Sequence, residues 1–150
     1  MRAAKTSAAH DLGLLLVRLI LGIVLMFHGS QKLFGWFDGI GMEAFTKYLD
    51  EELAIPMPQV SAYLSAGTEF AGGALLILGF LTRLVAISVF VNMLVAVVAA
   101  HRHEFAVKND GMEYALMLCV VALALVFMGA GRFSVDGCLR REKSPPVSDG

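Results

Sequence analysis

The sequence predicts an all-α fold: a membrane four-helix bundle with a short interfacial helix between the first and second spans. Two observations lead to this class. Hydrophobic residues make up 57% of the 150 residues and charged residues 17%, with a mean hydropathy of +0.71, which is too apolar for an ordinary soluble domain. The apolar residues also fall into four segments, each close to the about 20 residues that cross a hydrocarbon core of about 30 Å.

The first predicted span covers residues 12–34 and follows a short polar N-terminus at residues 1–11. No small-residue cleavage site follows the apolar run, so we expect this helix to be retained and not removed as a signal peptide. One face carries two glycines and two cations at 4-3-4-3 spacing: Arg18, Gly22, Leu25, Gly29 and Lys32. Glycines on one face allow a neighbouring helix to approach closely.

The connection at residues 35–58 contains a second, shorter helical pattern. Charged residues lie on one side of this pattern, and the apolar residues recur at helical spacing on the other: Met42, Phe45, Leu49 and Leu53. This periodicity predicts a short helix that either lies in the membrane interface or packs on the bundle as a lid. The acidic balance of its polar face favours the lid, because it gives no attraction to anionic lipid.

The remaining predicted spans cover residues 59–80, 83–102 and 112–130, and none contains proline, so no proline kink is expected. Glu69 lies near the middle of the second span, on a stripe of small residues that should face protein and not lipid. The third span has a similar stripe, which predicts a packing face with one hydrogen-bonding side chain: Ser88, Asn92, Ala96 and Ala99.

Basic residues indicate the orientation. The N-terminus, the turn at Arg83 and the C-terminal segment carry most of the basic residues and lie on one side of the bundle, so the positive-inside rule favours both termini in the cytoplasm. The basic residues on the other side are Lys32, Lys47, Arg102 and Lys108. Residues 137–150 form a polar cytoplasmic tail that we expect to be disordered. With a net charge of −1 and no basic tract, nothing points to nucleic acid as a partner.

Polar residues within the spans fall into two levels when depth is counted at 1.5 Å per residue. The middle level holds Arg18, Glu69 and Asn92. An isolated charge at mid-bilayer costs roughly 2.5–3.5 kcal/mol on insertion scales, so a carboxylate there should protonate or find a cation. We therefore predict a buried ion pair between Arg18 and Glu69, which either holds two helices together or has a functional role.

The candidate ligand-binding residues are Glu69 and the members of the outer level: His28, Gln31, Lys32, His101, Glu113 and Tyr114. These groups suit a polar pocket for a small anion or for the carbonyl oxygens of a quinone. Lys32 and His28 would donate hydrogen bonds, Gln31 and Tyr114 would orient the ligand, and either Glu113 or Glu69 would carry protons. Alternatively, they only anchor helix ends at the interface.

Metal and disulfide chemistry are not expected. No HxxxH or CxxC motif is present, and Lys32 adds a repelling charge to the outer level, so no metal site is predicted. Cys119 and Cys138 would lie about 28 Å apart along continuous helix, too far for a disulfide.

Four segments in order make the chain recognisable: HGSQKLFG at 28–35, AGTEF at 66–70, GMEY at 111–114 and GAGRFSVD at 129–136. With these, residues 12–136 resemble the DoxX family of small bacterial membrane proteins. The resemblance implies a bundle of four membrane helices in a prokaryotic cytoplasmic (inner) membrane.

The family takes its name from similarity to a membrane subunit of a thiosulfate:quinone oxidoreductase, so the resemblance implies a quinone-linked thiol or sulfur redox role. The sequence has no cysteine pair, haem motif or flavin fingerprint. We therefore expect no intrinsic cofactor beyond a bound quinone, and a non-autonomous subunit or accessory that works with a redox partner subunit or as a homo-oligomer. The alternatives are a small-molecule or proton-coupled transporter that uses Glu69 and Arg18, a lipid or small-molecule binding protein without redox activity, and a scaffold.

Overall fold

The computed structural model describes residues 7–100, 104–109 and 111–142, and these residues form helices and no strand. The all-α prediction is therefore confirmed. The elements in chain order are α1 (Ala8–Phe34), α2 (Gly41–Glu51), α3 (Pro58–Leu78), α4 (Thr82–Val95), a π-helical turn (Ala96–Ala100), a 3₁₀ turn (Val107–Asn109), α5 (Glu113–Met128) and α6 (Val135–Glu142).

Three helices of the described chain are long and apolar enough to cross a membrane: Ala8–Phe34, Pro58–Leu78 and Thr82–Ala100. They match the first three predicted spans to within a few residues, and the protein is a membrane protein that contacts the lipid bilayer. Residues 112–130, which were predicted as a fourth span, contain α5, an apolar helix of 16 residues that is shorter than these three. At 1.5 Å per residue α5 is about 24 Å long.

Contact between α1 and α3 is made through glycines. A Cβ added to Gly22 would lie 2.6 Å from the carbonyl oxygen of Gly73, and one added to Gly29 would lie 2.5 Å from the backbone nitrogen of Phe70. The two helices therefore run antiparallel with their backbones in contact, which only glycine permits at these positions. The predicted packing role of the Arg18-to-Lys32 face of α1 is confirmed for its glycines.

Apolar side chains from α1, α3, α4 and α5 form the main core. Leu25, Leu76, Val89 and Leu125 are at most 1% exposed, and they belong to one contiguous cluster. Burying such side chains stabilises a fold by about 1.5–3 kcal/mol each, when the alternative is water. In a membrane the gain comes from close packing instead, which explains the small residues among them, such as Ala86 and Ala122.

The predicted helix in the first long connection is confirmed as α2. Its residues Phe45 and Leu49 are buried against Ala62 of α3, with Leu53 and Ile55 packed around them. The apolar face of α2 is thus used to cover α3, as the lid interpretation of its periodicity expects. We call the end of the bundle under α2 the lid end.

The opposite end, which we call the terminal end, holds the start of α1, the turn between α3 and α4, and residues 131–136. The carboxylate of Asp136 accepts hydrogen bonds from the backbone N–H groups of Leu81 and Thr82, each at 2.9 Å. Thr82 begins α4, whose N-cap residue Leu81 makes no side-chain cap of its own. Asp136 therefore caps α4 from a distant part of the sequence.

Helix α6 was not predicted, and residues 137–142 of the expected tail are helical. Ser134 Oγ accepts a hydrogen bond from the backbone N–H of Gly137 at 3.0 Å, which satisfies one of the first free donors of the helix. The backbone N–H of Asp136 also donates to the carbonyl oxygen of Gly79. These bonds hold the start of α6 on the terminal end, while residues 143–150 lie outside the described residues.

Candidate functional site

A cavity of about 930 Å³ lies at the lid end of the bundle. One wall is the first half of α3 and the other is the second half of α4 with the π turn that follows it. Helix α2 and its flanking residues cover the cavity, and Lys32 reaches it from α1. Most of the lining is apolar, which is typical of a small-molecule site when a few polar groups converge within it.

Three polar side chains from three helices meet in this cavity, and we call them the polar floor: Lys32, Glu69 and Asn92. The Lys32 ammonium lies 2.5 Å from Oε1 of Glu69. Asn92 Nδ2 donates to the same oxygen at 3.2 Å. The Glu69 side chain is 3% exposed and that of Lys32 is 25% exposed. The carboxylate is therefore buried, and its charge is balanced by a cation at the edge of the bundle.

Side-chain direction explains why Lys32 and Glu69 meet. In a helix each Cα–Cβ bond tilts toward the N-terminus. Because α1 and α3 are antiparallel, Lys32 leans from its end of α1 into the bundle, whereas Glu69 leans from the middle of α3 toward the lid end. The two side chains thus converge from different depths.

The predicted ion pair between Arg18 and Glu69 is wrong. Arg18 is 0% exposed, but its guanidinium donates to the carbonyl oxygens of Leu76 at 3.3 Å and Phe133 at 2.5 Å, at the terminal end. The depth count placed both Cα atoms near the middle level but took no account of side-chain tilt. Arg18 leans toward the N-terminus of α1, away from Glu69.

The lid also contacts the polar floor. The Lys32 ammonium lies 4.9 Å from the centroid of the Phe45 ring of α2. An ammonium over an aromatic face is attracted by the ring quadrupole. The position of the lid helix is thereby linked to the charge pair beneath it.

The stripe on α4 agrees with its prediction in one respect, since Asn92 makes a hydrogen bond to another helix at Glu69, and differs in the other. Ser88, Asn92, Ala96 and Ala99 were expected to pack against another helix, and they form the α4 wall of the cavity instead. Their small side chains leave the volume unfilled, and α2 covers this region. The π turn Ala96–Ala100 continues the wall, and such wide turns occur frequently at functional sites.

Hydroxyl side chains on α3 line the cavity and were missed as site residues. Ser61, Ser65 and Thr68 follow i, i+4, i+7 spacing, so they share one helix face. Ser61 Oγ donates to the carbonyl oxygen of Pro56 at 2.9 Å, which ties the lid connection to α3. This spacing is visible in the sequence, and it is the signal that would have pointed to the α3 wall.

The other candidate ligand residues lie outside the cavity lining. His28 Nε2 and the Tyr114 hydroxyl are hydrogen-bonded at 3.2 Å, which joins α1 to α5. Gln31 donates to the carbonyl oxygen of Phe37 at 3.3 Å, and Glu113 accepts from the backbone N–H of Val107 at 2.7 Å. The outer level thus divides into a His28–Tyr114 pair and two side chains that hold loops. His101 lies outside the described residues.

Within the described residues, no group of three or more histidine, cysteine or acidic side chains is arranged to hold a metal ion. Cys119 is buried and Cys138 is exposed, and both are free thiols. Among the described residues, the charged ones that line the cavity are Lys32 and Glu69, which are paired, so this part of the lining carries no net charge. Such a site suits a neutral molecule with one polar end and an apolar body.

Comparison with known proteins places the chain among relatives of similar length. CatD of Bacillus subtilis (strain 168), whose name assigns it provisionally to the oxidoreductases, is 30% identical over 115 residues, which cover 77% of this chain and 79% of CatD. The uncharacterised membrane protein Rv3486 of Mycobacterium tuberculosis (strain ATCC 25618 / H37Rv) is 29% identical over 131 residues, which cover 80% of this chain and 77% of that protein. No solved structure matches at a significant level.

The sequence model of the DoxX family matches residues 13–102. This region runs from α1 to beyond the π turn, and it contains all three residues of the polar floor. The chain belongs to the DoxX family.

Proposed function

We propose that this membrane protein binds a quinone in the cavity beneath α2, as an accessory or non-autonomous subunit of a quinone-linked oxidoreductase that acts on thiol or sulfur compounds. The observation that carries the proposal is the polar floor of Lys32, Glu69 and Asn92 within an apolar cavity of about 930 Å³. The oxidoreductase name of CatD supports the redox part.

The floor has hydrogen-bond donors to spare for a carbonyl oxygen. An ammonium carries three N–H donors and a carboxamide carries two, whereas Lys32 and Asn92 each use one on Glu69. A quinone head group is neutral, so it does not disturb the charge balance of the floor. A small anion would have to displace the Glu69 carboxylate from Lys32, so the floor favours a carbonyl over an anion.

A bound quinone would supply two-electron redox chemistry. The residues of this chain would hold a carbonyl oxygen at Lys32 and Asn92 and keep an ionisable carboxylate, Glu69, beside it. The described residues offer no cysteine pair, because Cys119 is buried in the core and Cys138 lies on α6. Electrons would therefore come from a partner subunit.

In the membrane we place α5 as a fourth span beside the three longer helices, with the terminal end and both termini in the cytoplasm of a bacterial cell. Arg83, Arg132 and Arg140 lie at the terminal end, which agrees with the positive-inside rule. Cys138 is exposed there and Cys119 is buried. A membrane-impermeant maleimide should label Cys138 in inverted vesicles and not in intact cells, and the reverse pattern would overturn the orientation.

Titration of the purified protein with a short-chain quinone tests the proposal by calorimetry. We expect binding to the wild type and a loss of affinity of about tenfold or more in Lys32→Met and Asn92→Leu, because each removes a donor from the floor. Lys47→Met is the matched control, since Lys47 pairs with Glu51 on the exposed face of α2. A wild-type protein that binds no quinone would overturn the proposal.

Glu69 favours a second candidate, a proton-coupled transporter. Its Oε2 atom is buried without a hydrogen-bond partner among the described residues, and buried membrane carboxylates commonly serve as proton-binding sites. If the protein carries out a proton-coupled flux into liposomes and Glu69→Gln abolishes that flux, transport is supported. If the wild-type protein binds quinone and shows no such flux, transport is excluded.

A further inference from the structure

The cavity is open on one side. Six residues that line it are also among the exposed large apolar residues. Two of them, Ile40 and Tyr48, belong to the lid region and are 59% and 37% exposed. The other four lie on α3 and α4: Leu64 is 67% exposed, Val91 is 52% exposed, Val95 is 49% exposed and Ile87 is 46% exposed. A side chain can line a cavity and face the outside only where the cavity has a rim. These four residues therefore mark a lateral opening between α3 and α4, which we call the rim.

The rim lies on two helices that are long and apolar enough to cross a membrane. Leu64 is in the first half of α3 and Val91 is in the second half of α4, so both lie toward the lid end. Around such helices the surroundings are acyl chains and not water. The rim therefore opens into the hydrocarbon region of the bilayer.

The lid covers the end of the cavity that lies beyond the spans, although Ile40 and Tyr48 at its edge are exposed. Phe45 and Leu49 are 6% and 8% exposed and pack on Ala62, and Phe45 also contacts the Lys32 ammonium. Direct entry from water would have to separate these contacts, whereas the rim is already open.

We infer that the ligand is a neutral amphiphile with a long apolar chain, which enters from the bilayer between α3 and α4. Its head group contacts the polar floor and its chain passes over Leu64 and Val91 into the lipid. The paired charges of Lys32 and Glu69 favour a neutral head group, and the apolar rim accommodates a chain. This inference rests on the proposed function, and it adds the route by which the ligand enters and the long apolar chain that the ligand carries.

Two quinones with the same head group, one with a long isoprenoid chain and one with none, test the inference in lipid nanodiscs. Leu64→Trp and Val91→Trp each narrow the rim. Leu94→Trp is the control, because Leu94 is 43% exposed on the same helix but does not line the cavity. Each affinity is taken relative to that of the wild type, which cancels partition of the quinone into lipid.

We expect both rim variants to lower the affinity for the long-chain quinone by about tenfold or more, and the affinity for the chainless quinone by less than about threefold. Leu94→Trp should bind both quinones as the wild type does, and equal melting temperatures would show that all variants fold. Unchanged long-chain binding in the rim variants, or an equal loss in Leu94→Trp, would overturn the inference.

If the inference is overturned in this way but Lys32→Met loses affinity for the chainless quinone, the proposed function is still supported. If neither quinone binds the wild-type protein, the proposed function fails and the inference fails with it.

Discussion

The Lys32 ammonium lies 2.5 Å from the Glu69 carboxylate, although the two residues sit at different depths on antiparallel helices. Asn92 of α4 donates to the same oxygen. One buried carboxylate thus joins α1, α3 and α4 at a single point, and a cavity of about 930 Å³ lies beside it.

Removal of the cation from this pair should destabilise the protein. Lys32→Met leaves the buried Glu69 carboxylate without its charge partner, which we expect to cost about 3 kcal/mol. Thermal unfolding in detergent would measure the loss. The double variant Lys32→Met/Glu69→Leu should recover most of it, because no buried charge then remains.

The control for this prediction is Lys47→Met. Lys47 and Glu51 form an i, i+4 pair at 3.7 Å with both side chains more than half exposed, and such pairs contribute about 0.3–0.5 kcal/mol. Equal effects of Lys32→Met and Lys47→Met would contradict a buried pair.

Exchanging the charges of Arg18 and Glu69 in a double variant should not restore accumulation of the protein in the membrane. Arg18 donates to Leu76 and Phe133 and not to Glu69, so Arg18→Glu/Glu69→Arg places two unpartnered charges in the bundle. We expect less membrane accumulation than from either single change, measured by immunoblot. Accumulation above both single variants would show that the residues pair.

Arg18→Lys should loosen the C-terminal segment, because a single ammonium nitrogen cannot reproduce the two-carbonyl contact of the forked guanidinium. Trypsin cleavage at Arg132, followed by mass spectrometry, should become faster. The control is Arg83→Lys, since Arg83 also donates to a backbone carbonyl, that of Phe127, but is exposed. Cleavage at the wild-type rate in Arg18→Lys would contradict the anchoring role of Arg18.

Gly22→Ala should destabilise the α1–α3 contact by about 1–3 kcal/mol, since its Cβ would meet the Gly73 backbone and one of the helices would have to shift. Gly67→Ala is the matched comparison, because Gly67 lies in α3 and a Cβ added there would have nothing within 4 Å. It should stabilise the helix by up to about 1 kcal/mol through propensity. Opposite changes in melting temperature are therefore expected, and a shift of the same sign would refute the packing argument.

Asp136→Ala should remove the cap of α4 and reduce stability by about 0.5–2 kcal/mol. Amide hydrogen exchange at Leu81 and Thr82 should become faster, since both N–H groups lose their acceptor. Asp50→Ala removes an exposed carboxylate from α2 and serves as the control. Unchanged exchange at these two amides would exclude the cap.

The helices and the lid could be predicted from the sequence because their signals are local. Residues 12–34 are apolar along their whole length, and Phe45 and Leu49 repeat at helical spacing. Counting residues along a span gives the depth of a Cα atom, but it gives no information on the direction of a long side chain. For that reason Arg18 was assigned the partner that belongs to Lys32.

The cavity could not be predicted because a stripe of small residues is typical both of a helix contact and of a cavity wall. A stripe of small residues favours helix contact when a neighbour is present, as at Gly22 and Gly73. The same kind of stripe at Asn92 and Ala96 borders an open volume, since the neighbouring element is the lid. Which of the two occurs depends on the tertiary arrangement and not on the stripe itself.

The anchoring of Arg18 has a consequence for biogenesis. Its bond to Phe133 joins positions 115 residues apart, and residues 133–136 are translated after every helix of the bundle that they hold. While α1 is already in the membrane, its arginine lacks that acceptor, and α4 lacks its Asp136 cap. These contacts at the terminal end can therefore form only after α1, α3, α4 and α5 have all been made, and a chain truncated before Phe133 would leave the Arg18 guanidinium with the Leu76 carbonyl oxygen but without that of Phe133.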